Sequence, residues 1–372
     1  MIAVISEAAA CGHRLSVVGG GSKASIGSPV DARTLPLAGL AGIVDYDPSE
    51  LVLVVRPGTP LHEVQALVAR ERQMLAFEPF DHGPMFGIAE GWATIGGVVA
   101  AGVAGSRRIS AGSARDHLLG FRAISGRGEL FVAGAKVVKN VTGYDLPKLA
   151  AGSWGRLFAM TELTLKVLPR PETASTLAIA GLDVGTAVRA MAEAMGSQGE
   201  VAAAAHRPAG RGAAAVTALR IDGFAPSVIA RGRLLEGLLA PFGSVEPLNE
   251  AVADSFWTDL RTLAPLAGDR ALWRVNVPPS AGATLVEALS GEGADSLLDW
   301  AGGLIWIAYD GDAALVRREA ARAGGHAMLL RAGPERSAGV PVFQPLAPGL
   351  AALEARIRRA FDPAGVFETG RF

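Results

Sequence analysis

The chain has 372 residues, of which 50% are hydrophobic and 19% are charged, as expected for roughly two or three globular domains. The 35 basic residues nearly balance the 36 acidic ones, which argues against a nucleic-acid partner and against a polybasic membrane anchor. The single cysteine, Cys11, excludes an internal disulfide and an iron–sulfur cluster held by cysteines of this chain. Any such electron acceptor would lie on another chain.

The N-terminal run Met1 to Ala10 contains Glu7 and no basic residue, which is not the pattern of a signal peptide. The apolar run Ile95 to Gly105 is too short for a membrane-spanning helix, which needs ~20 residues, and it is rich in glycine. We therefore expect a cytoplasmic protein without a transmembrane segment.

Residues Leu15 to Val18 predict a short strand that ends in the glycine-rich turn Gly19 to Lys23. Glycines accept positive φ and lack a Cβ, so successive backbone amides can converge on an anion such as a pyrophosphate. Ser22 adds a hydroxyl donor and Lys23 a positive charge. The turn matches neither a Walker motif nor a GxGxxG fingerprint, and an ordinary glycine-rich turn stays an alternative.

Two strands are predicted next, at 42–46 and 51–56, followed by an amphipathic helix over 60–72 with apolar residues at helical spacing. Thr59 is the candidate cap of that helix. The following loop contains Asp81 beside His82, a pair that we interpret as polar loop residues rather than as catalytic groups.

Residues 93 to 97 repeat the pattern of the first loop, with small residues, two glycines and the hydroxyl of Thr94. Two such loops could hold the two ends of one long anionic cofactor. The basic pair Arg107 and Arg108 follows, and it is either solvated or directed toward a partner.

Over the next segment, strands are predicted at 118–124, 129–132 and 157–168, and a short helix is predicted at 146–151. The strand at 157–168 is closed by Pro169 and Pro171, and this proline pair marks the clearest domain boundary.

Beyond the proline pair the chain becomes rich in alanine. Strands are predicted at 176–182, 201–206, 215–221, 271–277, 304–309 and 327–331. Helices are predicted at 184–195, 226–239, 250–263, 281–289, 312–323 and 349–360. Because these elements alternate without long parallel βαβ runs, we expect an antiparallel sheet covered by helices and assign the chain to the α+β class.

Several segments together resemble the vanillyl-alcohol-oxidase-type, or PCMH-type, flavoprotein family. The most specific is Lys139-Asn140-Val141-Thr142-Gly143-Tyr144-Asp145-Leu146. The two glycine loops, the Arg115-Asp116 turn and the terminal Asp362-Pro363-Ala364-Gly365 motif agree with it. The segments Leu272-Trp273-Arg274 and Gly325-His326-Ala327 indicate the glycolate oxidase group within that family.

This resemblance implies a PCMH-type FAD-binding domain at 1–170, built from two α/β subdomains at about 1–57 and 58–170. An antiparallel-sheet cap domain would follow at 171–345, and a C-terminal segment at 346–372. The cofactor-binding residues that it implies are Gly19, Gly20, Gly21, Ser22, Lys23, Trp92, Ala93, Thr94, Gly96, Gly97, Gly102, Ser113, Arg115, Asp116, Phe158 and Glu162.

The chain departs from the family pattern in three respects. The first loop carries no histidine at the place where some members tether flavin covalently, so we expect non-covalent FAD. Phe158 stands where the family usually has glycine, and its ring would crowd the flavin. The six histidines include no short-spaced pair like the metal-binding cluster in the cap of catalytic relatives, so we predict no metal site.

Oxidation of a 2-hydroxy acid requires a hydride acceptor, a base for the hydroxyl proton and a cation for the carboxylate. Arg274 and Arg331 lie on predicted cap strands, and Arg274 shares one face of its strand with Asn276. Arg274 is a candidate carboxylate clamp and equally a candidate surface arginine. The sequence offers no convincing base for the hydroxyl proton. His326 is the one candidate.

The resemblance implies an FAD-binding subunit of a glycolate oxidase complex that oxidises glycolate, a small 2-hydroxy acid, to glyoxylate. Electrons would pass to a homologous FAD-linked catalytic subunit and an iron–sulfur subunit, and any attachment to the inner membrane would run through these partners. Two alternatives stay open: a self-sufficient FAD-dependent 2-hydroxyacid oxidoreductase, and a non-catalytic assembly subunit.

Overall fold

The computed structural model describes residues 1–135, 143–210, 213–332 and 340–372. The chain divides into two compact units. The first comprises Met1–Gly105, Gly112–Arg170 and Pro345–Phe372, and the second comprises Ser106–Ala111 and Pro171–Gln344. The segment Lys139 to Thr142, within the most family-specific motif, lies outside the described residues.

The α-helices of the described residues are α1 (Ile2–Cys11), α2 (Leu61–Arg70), α3 (Ile95–Ala101), α4 (Arg108–Ala111), α5 (Ala114–His117), α6 (Leu146–Ala150), α7 (Val184–Met195), α8 (Ala225–Leu239), α9 (Glu250–Thr262), α10 (Gly282–Ser290), α11 (Ala313–Arg322) and α12 (Pro348–Phe361). Short 3-10 helices lie at Gly83–Phe86, Ala240–Phe242, Ala264–Leu266, Pro279–Ala281 and Trp300–Gly302. Within the described ranges, none of these helices combines the length and the apolar character that crossing a membrane requires.

The strands of the described residues are β1 (Leu15–Val18), β2 (Arg33–Pro36), β3 (Ile43–Asp47), β4 (Val52–Val55), β5 (Gln73–Met74), β6 (Leu118–Ser125), β7 (Leu130–Gly134), β8 (Phe158–Lys166), β9 (Leu168–Pro169), β10 (Thr173–Ala180), β11 (Val201–Arg207), β12 (Val216–Gly223), β13 (Val245–Pro247), β14 (Leu272–Asn276), β15 (Asp295–Asp299), β16 (Leu304–Ala308) and β17 (His326–Arg331). Most agree with the predicted strands to within a few residues.

The first unit contains an antiparallel sheet in the order β3-β4-β8-β6-β7 among its described residues. Beside it, β1 pairs in parallel with β2, and β5 pairs antiparallel with β9. Helix α1, which hydrophobic periodicity did not predict, buries Ile5 against Leu15 of β1 and Phe367 of the C-terminal segment. The same core therefore joins the two ends of the chain beside β1, the strand that leads into the first glycine loop.

Helix α2 begins at Leu61 with Pro60 as its N-cap residue, so the expectation that Thr59 caps it is wrong. The Thr59 hydroxyl donates to the carbonyl oxygen of Arg56 at 2.7 Å and accepts from the amide of Gly42 at 2.9 Å. Thr59 therefore links the turn after β4 to Gly42, the residue just before β3. A hydroxyl engaged by these partners has no role left at the helix end.

The second unit contains an antiparallel sheet in the order β13-β10-β12-β11-β15-β16-β14-β17 among its described residues. The helices α7, α8, α10 and α11 supply the buried residues Met191, Leu235, Leu285 and Val316 to the same apolar core as Val275 of β14. The expected α+β composition and the antiparallel sheet are confirmed. Reading the two units as an FAD-binding domain and a cap domain stays a prediction.

Candidate cofactor site

An open-sided cleft lies within the first unit. Its lining includes all of the predicted phosphate loop, Gly19 to Lys23, together with Thr94, Gly96 and Gly97 of the second loop and Phe158. The two loops are far apart in sequence, and the structure brings them to one cavity. Residues that sequence reasoning missed complete the wall: Ala24, Trp154, Arg156, Phe367, Thr369, Arg371 and Phe372.

The two loops pack backbone against backbone. A Cβ at Gly20 would overlap the carbonyl oxygen of Trp92, and one at Gly19 would overlap the hydroxyl of Thr94. Gly21 has φ +83°, a left-handed conformation that strains any residue with a Cβ. Close approach and backbone conformation therefore both require glycine in the first loop.

The amides of the first loop are open, whereas those of the second loop are engaged. Within the described part of the chain, the amides of Gly19 to Lys23 donate no hydrogen bond. The amides of Ile95, Gly96 and Gly97 donate to the Thr59 carbonyl, the Pro57 carbonyl and the Thr94 hydroxyl at 2.9, 2.8 and 3.3 Å. These residues begin helix α3, so the second loop forms a wall of the cleft and the first loop supplies the donors.

Lys23 adds a desolvated cation beside these amides. Burial lowers the pKa of its ammonium group to about 8, and the negative charge of Asp81 offsets part of that decrease. The Lys23 ammonium lies 3.5 Å from the hydroxyl of buried Ser22. Open amides and a cation that has lost hydration are both stabilised by an anionic ligand. The residues present therefore fit the pyrophosphate of a dinucleotide.

Asp81 organises the loop that leads into α3. Its carboxylate accepts hydrogen bonds from the amides of Gly83, Gly91 and Ala93 at 2.8, 3.0 and 3.1 Å. The neighbouring His82 ring stacks on Phe80, with 4.7 Å between the ring centroids. The interpretation of this pair as non-catalytic stays a prediction, and the sequence did not show how many backbone amides Asp81 binds.

Phe158 is only 2% exposed and forms part of an aromatic cluster. Its ring lies 5.1 Å from the rings of both Phe121 and Phe361 and 5.3 Å from that of Phe131, measured between centroids. Because Phe158 also lines the cleft, it occupies volume that a glycine would leave open. Neighbouring rings fix its position, and its effect on a bound flavin stays a prediction.

Other predicted cofactor residues do not line this cleft as the structure describes it. They are Trp92, Ala93, Gly102, Ser113, Arg115, Asp116 and Glu162. The Asp116 carboxylate accepts from the Ser113 amide at 2.8 Å and from its hydroxyl at 2.9 Å, which stabilises the start of α5. Gly102 ends α3 at φ +62°. Their part in cofactor binding stays a prediction.

The predicted catalytic residues lie in the second unit. The Arg331 guanidinium donates to the carbonyl oxygens of Arg270 and Leu266 at 3.1 and 3.2 Å, so it is engaged in holding the backbone. His326 of β17 pairs in register with Asn276 of β14, two residue pairs along the strands from Arg274 and therefore on the same face of the sheet. The structure thus brings Arg274 and His326 together and ties Arg331 to other groups.

Arg274 and Arg108 both lie over the indole ring of Trp300. Their guanidinium carbons are 5.5 and 4.1 Å from the ring centroid. Burial and the charge of Arg108 lower the Arg274 pKa to about 10, and burial together with both arginines lowers the pKa of His326. Sequence reasoning noted Arg108 as a basic residue that is solvated or directed toward a partner, but it did not predict that Arg108 and Trp300 lie near Arg274, because that proximity depends on the tertiary fold. Among the described residues, no group of three or more histidine, cysteine, aspartate or glutamate side chains could hold a metal ion.

Comparisons with known proteins agree with this site. A family model described as an FAD binding domain matches residues 1–134. The fold resembles a solved structure of p-cresol methylhydroxylase with substrate bound, at a TM-score of 0.70, 15% identity, 100% coverage of this chain and 86% coverage of that one. The expected PCMH-type fold and FAD as the cofactor are confirmed, and the chain is an FAD-binding oxidoreductase.

Full-length similarity narrows this class. The chain is 36% identical to the glycolate oxidase subunit GlcE of Escherichia coli (strain K12), over 96% of this chain and 92% of that protein. It is 31% identical to the glycolate oxidase subunit GlcD of Bacillus subtilis (strain 168), over 44% of this chain and 34% of that protein. The chain belongs to the family of the glycolate oxidase subunit GlcE.

Replacing Gly20 with alanine is expected to cut the FAD content of the purified chain and to weaken FAD binding by about tenfold or more, because the new Cβ would force the two loops apart. The control is Gly39→Ala, where a Cβ meets nothing within 4 Å. Flavin absorbance and a fluorescence titration of the apoprotein measure the effect. A folded Gly20→Ala variant with wild-type FAD content would contradict the contact.

The FAD dissociation constant is expected to depend on pH through Lys23. The ammonium is protonated below its pKa of about 8 and loses its charge above it, so affinity is highest at lower pH. Above pH 8 the dissociation constant rises, by up to about tenfold per pH unit. Lys23→Met should bind more weakly and with a flat profile over this range, whereas Lys23→Arg should keep its affinity to higher pH. Wild-type and Lys23→Met profiles of the same shape would exclude this role for Lys23.

Proposed function

We propose that the chain is the FAD-binding subunit of a complex that oxidises glycolate to glyoxylate. The observation that carries this proposal is the 36% identity to GlcE over 96% of this chain and 92% of that subunit. Partial similarity to GlcD supports a homologous FAD-linked catalytic subunit as one partner. The sequence has one cysteine, which supports an iron–sulfur partner rather than a cluster of its own.

Bound FAD would supply the two-electron acceptor for the hydride of the hydroxy acid. The chain's own contribution begins with the open amides of Gly19 to Lys23 and the ammonium of Lys23, which would bind the pyrophosphate. The apolar walls of the cleft would exclude water from the rest of the cofactor. In the part of the chain that the structure describes, neither histidine nor cysteine lines the cleft, which supports non-covalent binding.

We further propose that Arg274 binds the substrate carboxylate. Among the described residues its guanidinium forms no hydrogen bond and no ion pair, and burial together with the charge of Arg108 lowers its pKa to about 10. A carboxylate would supply a counter-ion. The lowered pKa of His326 keeps its imidazole neutral at pH 7, so it can accept the hydroxyl proton.

The proposed location is the cytoplasm, with any attachment to the inner membrane made through the partner subunits. The partner subunits would also accept the electrons from the flavin of this chain. Two electrons and two protons leave glycolate in each turnover, and partner subunits would carry the electrons onward.

The function is tested by purifying the chain alone and together with its partner subunits, then recording flavin absorbance and glycolate-dependent dye reduction. We expect a yellow chain that reduces dye only within the complex. A colourless chain that cannot be reconstituted with FAD would contradict the flavin role. Turnover of glycolate by the chain alone would show a self-sufficient enzyme and exclude the dependence on partners.

The Arg274 assignment is tested with Arg274→Met and Arg274→Lys in the complete complex. Loss of the guanidinium should raise the KM for glycolate about tenfold or more while FAD content and melting temperature stay unchanged. Arg233→Met, which removes an exposed arginine from α8, is the matched control. An unchanged KM in both Arg274 variants would exclude it as the carboxylate-binding residue.

A further inference from the structure

We infer that Arg371 is a positioning residue for the cofactor loop. Its guanidinium gathers carbonyl oxygens at the end of this loop and thereby holds the preceding amides toward the cleft. This inference rests on the proposed binding of the FAD pyrophosphate at Gly19 to Lys23. It adds a role for a side chain more than three hundred residues away in sequence.

The contacts of Arg371 converge on one short segment. Its Nε donates to the carbonyl oxygen of Ile26 at 2.8 Å, and its Nη2 donates to those of Lys23, at 3.2 Å, and Ala24. A planar guanidinium with donors in a fixed arrangement can hold three carbonyls at once, which an ammonium on a flexible stem does less well. Arg371 therefore sets the direction of the peptide groups that close the loop.

The turn itself is closed by a hydrogen bond from the Ala24 amide to the Gly21 carbonyl at 2.9 Å. With the Lys23 and Ala24 carbonyls directed at Arg371, the chain after Gly21 has little freedom to rotate. The open amides precede this point. The orientation of these amides depends on the turn that follows them, because glycine has a wide range of backbone conformations.

Arg371 is held in place by backbone contacts on the same side. The Ser28 amide donates to its carbonyl oxygen at 3.0 Å. Gly27 has φ +94°, and a Cβ there would lie 2.5 Å from the same oxygen. The adjacent Phe372 ring contacts Trp154, with 5.3 Å between centroids. The C-terminal segment thus lies along the cofactor loop with its position fixed at several points.

Electrostatics favour positioning over direct charge pairing. Burial lowers the pKa of Arg371 from its ordinary value, and its donors at Nε and Nη2 are already bonded to loop carbonyls. Lys23 supplies the cation beside the amides. The effect of Arg371 on FAD should therefore pass through loop geometry, and it should differ from the effect of Lys23 in its dependence on salt.

The test compares Arg371→Ala and Arg371→Lys in the full chain. The measurement is the FAD dissociation constant of the apoprotein, from flavin fluorescence, at low and high NaCl. Both variants should bind FAD about tenfold or more weakly, because lysine keeps the charge but not the three-carbonyl geometry. Their salt dependence should match that of the wild type. Arg359→Ala, which removes an exposed arginine of α12, is the control.

A second variant, Gly27→Ala, displaces the Arg371 backbone while leaving its charge intact, and it should weaken FAD binding in the same way. Wild-type affinity in Arg371→Lys would overturn the positioning role, as would a reduced salt dependence of FAD binding in Arg371→Ala, which would indicate direct charge pairing with the cofactor. Melting temperatures without FAD identify any variant that is simply unfolded. If the wild type binds FAD and Arg371→Ala binds equally well, only this inference fails; if the wild type binds none, the proposed function fails first.

Discussion

The close contact between two glycine-containing loops is the constraint on which the rest of the cofactor site depends. Gly19 and Gly20 approach the Trp92 carbonyl and the Thr94 hydroxyl so closely that no side chain fits between them. This contact aligns the end of β1 with the start of α3. The two loops differ in their backbone, because the amides of Ile95 to Gly97 at the start of α3 donate hydrogen bonds to Thr59, Pro57 and Thr94, whereas those of the first loop donate none among the described residues. A row of open amides needs an anion, and the cleft in front of them can receive one.

Sequence patterns predicted those features that depend on residues close together in the chain. The glycine run after β1 was recognised because positive φ and close approach both need glycine, and helix α7 was predicted with its observed ends because its apolar residues keep helical spacing. The start of α3 was read as a second open loop, since small residues and glycines give little periodicity. Strand β15 was missed for a similar reason: it is short and has aspartate at both ends.

Contacts between residues that are distant in sequence could not be predicted from sequence patterns, and several of them shape the site. Asp81 gathers amides from residues up to 12 positions away, and Arg371 reaches carbonyls across nearly the whole chain. Neither contact leaves a signature in spacing or composition. Arg331 illustrates the converse, because its place on a cap strand suggested chemistry while its guanidinium holds backbone carbonyls. Arg274 kept its candidacy because its charge lacks a counter-ion among the described residues.

Membership of the GlcE family gives these features a common purpose, the binding of FAD in a protein that transfers electrons. The central claim is that the amides of Gly19 to Lys23 are open until the cofactor binds, whereas those of Ile95 to Gly97 are always bonded. Hydrogen–deuterium exchange of the apoprotein with and without FAD tests it most directly. The account predicts fast exchange in the first loop that slows markedly with FAD, and slow exchange at the start of α3 in both states. Unchanged exchange in the first loop on saturation with FAD would contradict it.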